Sequence, residues 1–264
     1  MATKKEGVFM NIAVLTGASS GIGKVMAEIL GDYFCDIDEI WVIARSEDKL
    51  NALNTQIPKR VIKLDLRKDD SLKEYSSLLE CEKPNIKVLI NSAGYGKFGD
   101  FSDISHDATL GMIELNCKAL VSITNSSLPF MQKDARIMQI CSVASFLPLP
   151  MLNVYAASKA FVNSYSLALS EELKPRGIYV TTLCPFWTDT EFFKVAEDVN
   201  SNKRAVKSYM GMLPPEKVAD VGLKALKKKQ SFAIPGFMGK MLLVLGKLVP
   251  KRIAMKVWLL NCNK

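Results

Sequence analysis

Tyr155 and Lys159 stand four residues apart, and their types and spacing indicate acid–base chemistry. Side chains four residues apart lie on one face of a helix, one turn from each other. A free phenol has a pKa of about 10 and exchanges protons poorly at neutral pH. Because a neighbouring ammonium favours the phenolate form, we predict that Tyr155 exchanges a proton with a substrate oxygen.

Two polar residues earlier in the chain also stand out. Ser142 directly follows a predicted strand and can hydrogen-bond a substrate oxygen. Asn116 lies in the middle of a predicted helix, where a polar side chain on an apolar face needs a reason. Tyrosine and lysine at this spacing are common, so the prediction depends on these partners and on a glycine-rich turn near the start of the chain.

That turn, TGASSGIG at residues 16–23, follows the first predicted strand and begins a helix. Glycines at such a junction let backbone N–H groups approach a pyrophosphate at the helix N-terminus. We therefore predict a dinucleotide site, with hydride moving between nicotinamide and substrate while Tyr155 exchanges the proton. The contacts predicted from the turn are Gly17, Ser19, Ser20, Gly21, Ile22 and Gly23.

The same turn also matches the GxSxG pattern of serine hydrolases, with Ser19 as the nucleophile. The only histidine, His106, would then have to be the base. It lies between Ser105 and Asp107, which are residues typical of a helix start. A histidine beside a helix cap is the better interpretation, so a hydrolase is a remote alternative.

Arg45 follows the second predicted strand, at a position where NAD-binding proteins carry an acidic residue. A guanidinium there can pair with a 2′-phosphate, so NADP(H) is favoured over NAD(H), with a solvated loop arginine as the alternative. Further contacts are expected after the third and fourth strands, at the edge of the sheet where ligands bind. These are Asp65, Leu66, Asn91, Ala93 and Gly94.

Together these motifs resemble the classical short-chain dehydrogenase/reductase family over about residues 10–190, and Arg45 resembles its NADP-preferring subgroup. The turn is similar to the family's TGxxxGxG, and NSAG at 91–94 to its NNAG. Asp65 resembles the family's adenine-contacting aspartate. The resemblance implies that Asn116, Ser142, Tyr155 and Lys159 form the catalytic tetrad. In it, serine orients the substrate, tyrosine is the acid and base, lysine binds ribose and lowers the tyrosine pKa, and asparagine holds a water in a proton relay.

One position departs from the family pattern. The family has Pro-Gly after the sixth strand, whereas this chain has Pro185-Phe186. Phe186 is expected to reshape the pocket beside the nicotinamide, so substrate specificity does not transfer from the family. Cofactor contacts are still implied for Pro185, Thr188 and Thr190.

Residues 186–213 lack a clear period and correspond to the family's mobile substrate lid. Apolar residues from this stretch and from the segment before Tyr155 suit a bulky hydrophobic ketone or alcohol, such as a steroid or a long acyl chain. Ordinary core packing is an equally good explanation. The predicted pocket residues are Ser142, Leu149, Tyr155, Phe186, Trp187 and Phe192.

Short apolar runs alternate with helical patterns along the whole chain, which predicts an α/β fold. We expect a single Rossmann-type domain over 1–264, with a doubly wound parallel sheet of about seven strands flanked by helices and residues 1–9 as a leader. Strands are predicted at 11–16, 39–44, 60–64, 87–91, 136–141, 178–183 and 231–234. Helices are predicted at 21–34, 46–55, 69–81, 105–130 and 155–174, and another starting near 214–216.

The C-terminal extension, residues 235–264, carries apolar residues at helical spacing with lysines interspersed, and Pro250 divides it. Three interpretations compete: a helical pair that covers the substrate cleft, an oligomer contact, or a basic amphipathic anchor on a membrane surface. Packing on the protein's own body or on another subunit is the favoured interpretation. We keep weak membrane-surface contact as a further expectation.

Composition and charge narrow the possible partners and functions of the protein. A net charge of +8 with no nucleic-acid-binding motif argues against a nucleic-acid partner, and no metal site is expected. Six cysteines without CxxC spacing indicate reduced, mostly buried thiols of a cytoplasmic protein. Peripheral membrane contact is a further expectation for its localisation. We expect a homodimer or homotetramer. A catalytically idle NADP-binding sensor or scaffold is the alternative function, although an intact tetrad argues against it.

Overall fold

The structure is a computed structural model and describes residues 10–200 and 204–263. The predicted leader at residues 1–9 lies outside the described residues, as do residues 201–203 of the predicted lid.

Seven parallel strands form one sheet in the order β3-β2-β1-β4-β5-β6-β7. Two strands match their predicted bounds, and the others differ by at most two residues at either end. The strands are β1 Asn11–Thr16, β2 Glu39–Ala44, β3 Lys59–Lys63, β4 Asn85–Asn91, β5 Arg136–Ile140, β6 Tyr179–Leu183 and β7 Phe232–Ala233. The predicted doubly wound, Rossmann-type sheet is confirmed.

Helices cover both faces of this sheet. They are α1 Gly21–Ile29, α2 Glu47–Asn51, α3 Asp69–Glu82, α4 His106–Ile113, α5 Leu120–Ser127, α6 Asn153–Leu173, α7 Phe192–Glu197, α8 Pro215–Lys227, α9 Phe237–Leu248 and α10 Lys251–Leu260. A π-helical segment, Glu114–Ala119, joins α4 to α5.

The strands are apolar almost throughout because both of their faces are buried. Alternate residues of β1 enter two different cores: Ala13 and Leu15 pack with α1 and α8, whereas Ile12 and Val14 pack with α3, α5 and α6. Trp41 on β2 is fully buried in the second core. The sheet is therefore a rigid support whose carboxyl edge carries the loops of the site.

Three predicted helices differ from the structure. The helix predicted at 21–34 is α-helical only to Ile29 and continues as a short 3₁₀ helix at Leu30–Asp32. The helix predicted at 46–55 is limited to α2, because the Thr55 hydroxyl donates to the carbonyl of Ile57 at 2.8 Å and so stabilises a local turn in place of further helix. The helix predicted at 105–130 exists, but the π-helical segment interrupts it. Apolar periodicity does not show such an insertion.

Candidate active site

The glycine-rich turn lies at the carboxyl end of β1, where the strand order reverses between β2 and β4. Gly17 has a φ of +72°, and a Cβ atom there would lie 2.6 Å from the backbone nitrogen of Ala93. A Cβ atom on Gly23 would lie 2.3 Å from the carbonyl oxygen of Gly17. Only glycine fits these two positions, which hold α1 close against the sheet.

The N-terminus of α1 faces a large cavity. Ser20 is its N-cap residue but makes no capping hydrogen bond, so its side chain leaves the first amides of the helix available. Ser19, Ser20, Gly21 and Ile22 line the cavity. Uncapped amides at a glycine-rich helix start are a suitable site for a pyrophosphate, so these residues fit a dinucleotide.

The adenosine side of this cleft contains Arg45 and Asp65, both of which line the cavity. Arg45 is exposed and forms no ion pair with any residue that the structure describes. Asp65 accepts a hydrogen bond from the backbone N–H of Arg67 at 3.2 Å. Leu66 lines the cleft beside Asp65. This arrangement fits an adenosine with a phosphate near Arg45.

Asn91 stays a predicted cofactor contact, but its side chain lies away from the cavity. Its side chain is buried beneath the cavity floor and donates to Thr124 Oγ1 and Gln139 Oε1, both at 3.0 Å. It joins β4 to α5 and β5 and does not line the cavity. Ala93 and Gly94 do line it, as predicted. In the sequence, a polar residue at a strand end does not reveal which way its side chain points.

Tyr155 and Lys159 lie in the first turns of α6, and both side chains line the cavity. The Lys159 ammonium donates to the carbonyl oxygen of Ile140 on β5 at 2.9 Å and lies 5.9 Å from the centre of the Tyr155 ring. The predicted helix therefore places both groups at one site. The ammonium is nevertheless held by the sheet rather than bonded directly to the phenol.

Burial decides the protonation of Tyr155 in the absence of a ligand. Desolvation raises the pKa of its phenol well above the ordinary value, and a hydrogen bond with Ser142 lowers it by less. Desolvation also lowers the pKa of Lys159. The net effect in the ligand-free protein is a raised phenol pKa, so a lowering of this pKa by Lys159 stays a prediction for the protein with its ligands bound.

Ser142 follows β5 and lies beside Tyr155, and both residues line the cavity. Its Oγ accepts the backbone N–H of Ala144 at 3.1 Å, which caps the short 3₁₀ turn at Val143–Phe146. One lone pair is thus engaged, and Ser142 also lines the cavity. A substrate oxygen placed there would meet both the serine hydroxyl and the phenol.

Asn116 lies in the π-helical segment and is buried behind the cavity wall. Its amide donates to the Tyr95 carbonyl at 2.8 Å and to Ser158 Oγ at 3.0 Å, while its Oδ1 accepts the Tyr95 N–H. Gly94 adjoins this group: a Cβ atom there would lie 2.9 Å from Asn116 Oδ1 and 3.5 Å from Lys159 Nζ. Asn116 therefore positions the loop beside Lys159.

The cavity has a volume of about 1420 Å³, which exceeds the roughly 300–1,000 Å³ of common ligand sites and leaves room for a cofactor and a substrate. Beyond Tyr155, its walls are apolar. All the predicted pocket residues line it: Ser142, Leu149, Tyr155, Phe186, Trp187 and Phe192. The predicted cofactor residues Pro185, Thr188 and Thr190 line the cavity as well.

The C-terminal extension covers this cleft. Met238, Leu242 and Leu245 of α9 and Val257 and Trp258 of α10 line the cavity. The indole N–H of Trp258 donates to the carbonyl of Pro150 at 2.8 Å. Pro150 lies in the segment between Ser142 and Tyr155, so this bond attaches α10 to that segment. Of the three interpretations, the pair of helices over the cleft is therefore observed. None of the described helices is long and apolar enough to cross a membrane.

Comparison with known proteins agrees with this geometry. A sequence model of the short chain dehydrogenase family matches residues 11–200. This chain belongs to the short-chain dehydrogenase family. It is therefore an oxidoreductase, and the family accounts for the glycine turn that also matches a hydrolase pattern. The hydrolase alternative has no geometric support, because Ser19 lines the cavity and His106 does not.

Relatives of this short-chain dehydrogenase include a mammalian reductase. The very-long-chain 3-oxoacyl-CoA reductase of Mus musculus is 33% identical over 215 residues, which are 74% of this chain and 66% of that protein. Two similar solved structures are a short-chain dehydrogenase from Sphingobium yanoikuyae in complex with NADPH and the bulky-bulky ketone specific alcohol dehydrogenase from Comamonas testosteroni. Their identities are 26% and 25% and their TM-scores 0.74 and 0.70, with coverage of 94% and 91% of this chain and 95% of each of theirs.

Some residues in this dehydrogenase's site could not be predicted from the sequence pattern. Phe98 packs edge-on against Tyr155 with 5.9 Å between ring centres, yet it lies in a loop without periodicity. A Cβ atom on Gly96 would lie 2.8 Å from Tyr155 Cδ2. Lys49 and Glu191, 142 residues apart, form a 2.8 Å ion pair, and both line the cavity. Each contact depends on segments that only folding brings together.

Proposed function

We propose that this short-chain dehydrogenase interconverts a ketone and an alcohol on a hydrophobic substrate with NADP(H). The observation that carries the proposal is the single cavity that joins the uncapped N-terminus of α1 to Tyr155 and an apolar wall. A nicotinamide dinucleotide bound along the turn would supply or accept hydride. The protein's own groups would then handle only the substrate oxygen and its proton.

The roles of these groups follow from their positions. Ser142 would hold the substrate oxygen, and Tyr155, protonated in its buried site, would donate a proton to the oxygen as a ketone is reduced. Lys159 would stabilise the resulting phenolate, and Asn116 would hold the Gly94–Tyr95 loop beside it. The reverse reaction would need the phenolate, which the charges of Lys159 and of an oxidised nicotinamide favour.

A hydrophobic substrate is supported by the wall and by similar proteins. Phe186, Trp187 and Phe192 form an aromatic cluster with neighbouring rings 5.5–6.2 Å apart around Phe98 and Tyr155. The similar proteins named above act on very-long-chain 3-oxoacyl-CoA and on bulky-bulky ketones. A steroid or a long-chain ketone fits both the wall and the volume of the cavity.

The reaction is tested by following NADPH absorbance with a panel of hydrophobic ketones. Tyr155→Phe removes the proton donor, so we expect turnover to fall by about 10²–10⁴-fold with NADPH affinity unchanged. The retained affinity, measured by NADPH fluorescence, shows that the cleft is intact. NADPH binding without turnover of any ketone or alcohol would instead support the sensor or scaffold alternative.

The preference for NADP(H) is tested separately. Arg45→Ala removes a cation that lines the cleft without an ion pair to any described residue, so NADPH affinity should fall about tenfold or more while NADH affinity is unchanged. Lys228→Ala, at an exposed position that follows α8, is the matched control. Equal affinities for NADH and NADPH in the unmodified protein would refute the preference.

We also propose that the protein forms a homodimer or homotetramer through α4 and α6. These helices pack together, and they expose Leu110 and Ile113 on α4 and Phe161 and Leu167 on α6. Light scattering should report an oligomer at micromolar concentration, and Ile113→Lys with Phe161→Lys should convert it to monomer. A monomeric unmodified protein would rule this out.

A further inference from the structure

The two helices of the C-terminal extension expose apolar side chains on their outer faces. On α9 the exposed residues recur at intervals of seven and four, and on α10 at intervals of four and three, so each set lies on one helix face. All six are more than half exposed, and three are about three-quarters exposed. These residues are Phe237, Val244, Leu248, Ile253, Val257 and Leu260.

The same two helices carry only positive charge. Between Phe232 and Asn263 the sequence contains no aspartate or glutamate. Five cations are exposed there, and none forms an ion pair with a described residue, whereas many lysines elsewhere on the surface do. The five are Lys240, Lys247, Lys251, Arg252 and Lys256.

The mouth of the cavity opens on this surface. Four exposed apolar side chains also line the cavity, which places them at its rim. Val195 comes from α7, Leu245 from α9 and Val257 from α10, and Met210, which is 74% exposed, precedes the turn at Gly211. Water-soluble proteins rarely surround a cavity with bare apolar groups and unpaired cations unless that surface binds a partner.

We propose that α9, α10 and Met210 dock on an anionic lipid surface, with the mouth of the cavity facing the membrane. Apolar ridges bordered by lysines are the pattern of helices that lie in the plane of a membrane interface. Each lysine near an anionic surface strengthens binding by roughly fivefold. Five cations without an ion pair to any described residue act together here. Docking of this kind places the helices on the membrane surface, and none of the described helices is long and apolar enough to cross the bilayer.

Charge favours lipid over a second copy of the chain on this face. Two copies meeting through α9 and α10 would bring together two clusters of cations with no carboxylate in either extension. The exposed apolar residues of α4 and α6 offer a separate face for self-association. A bilayer of anionic lipids neutralises the lysines and also accepts the apolar ridges.

Docking would also set the route of the substrate. A hydrophobic ketone dissolved in the lipid would pass between α9, α10 and Met210 into the cavity without crossing water. This second step rests on the proposed function, whereas docking itself does not. The two are therefore measured by different experiments.

Docking is tested by sedimenting the full-length protein with vesicles. One set is phosphatidylcholine alone, and the other is equal parts of phosphatidylcholine and phosphatidylglycerol. We expect binding to the anionic vesicles and a decrease of about thirtyfold in the partition coefficient for Lys247→Gln with Lys256→Gln. Lys227→Gln with Lys228→Gln, exposed on and just after α8, is the matched control and should bind as the unmodified protein does.

Leu248→Ser with Leu260→Ser removes the apolar contribution at two highly exposed sites, so folding should persist, as checked by the urea midpoint. This variant should lose vesicle binding and keep turnover of a water-soluble ketone, while losing turnover of a ketone supplied within vesicles. Failure of the unmodified protein to bind anionic vesicles overturns docking. Docking is also overturned if the serine variant loses self-association but still binds vesicles. Vesicle binding without any ketone turnover upholds docking and refutes the proposed function alone.

Discussion

Two opposing effects, burial and a hydrogen bond, set the pKa of the Tyr155 phenol. Phe98 and Phe192 pack against its ring, and this apolar contact favours the uncharged phenol. Ser142 favours the phenolate through a hydrogen bond, yet burial has the larger effect on the pKa. Burial therefore favours the protonated form of the ligand-free residue, which is the form that would donate a proton to the substrate oxygen in the proposed reaction.

A titration of the ligand-free protein tests this state. Tyrosinate absorbance of the unmodified protein minus that of Tyr155→Phe should show no ionisation of Tyr155 between pH 7 and about 10, the ordinary phenol pKa. Because the folded pKa is raised, this group does not reduce stability below about pH 10. Its ionisation opposes folding as pH rises beyond that value. A difference signal near neutral pH would show instead that Lys159 outweighs burial.

At the scale of elements, the junction of β1 and α1 shows how closely backbone segments approach. Gly17 and Gly23 leave no space for a Cβ atom, and the neighbouring atoms belong to backbone that cannot move without shifting a strand. The sequence predicted this junction because the glycine turn is a local pattern. It did not predict the π-helical segment around Asn116, because the segment is stabilised by contacts with Tyr95 and Ser158 from distant parts of the chain.

Gly23→Ala is expected to separate α1 from β1. The new methyl group would lie 2.3 Å from the carbonyl oxygen of Gly17, so overpacking should lower the free energy of unfolding by about 1–3 kcal/mol and abolish NADPH binding. Urea denaturation and NADPH fluorescence measure the two effects. Gly31→Ala is the matched control, because its nearest neighbour is the flexible side-chain end of Gln56. Equal behaviour of the two variants would contradict the close-packing argument.

At the scale of the whole molecule, the C-terminal extension is attached at several points. Trp258 bonds to Pro150, Val206 bridges to Cys262, and the backbone N–H of Lys207 donates to the carbonyl of Asn261 at 2.9 Å. The extension therefore packs both on the predicted lid and on the segment that precedes Tyr155. Movement of α10 would alter the size of the substrate space.

Trp258→Ala tests that connection. Loss of the indole and its hydrogen bond should raise KM for a bulky ketone by about tenfold and change KM for a small ketone much less, because only the large substrate reaches α10. Lys256→Ala, exposed on the same helix, is the control and should leave both KM values unchanged. Equal increases for the two ketones would mean that the tryptophan supports the fold rather than the substrate space.

The sequence by itself determined the order of strands and helices, the glycine turn and the four residues of the predicted tetrad. Each of these follows from local periodicity, from residue spacing or from a short motif. The tertiary structure decided the features that depend on distant segments: Asn91 turned into the core, Tyr155 is kept protonated, and α9 and α10 cover the cleft. The physical reason is that burial and desolvation depend on every segment that packs against a group, and spacing along the chain does not contain that information.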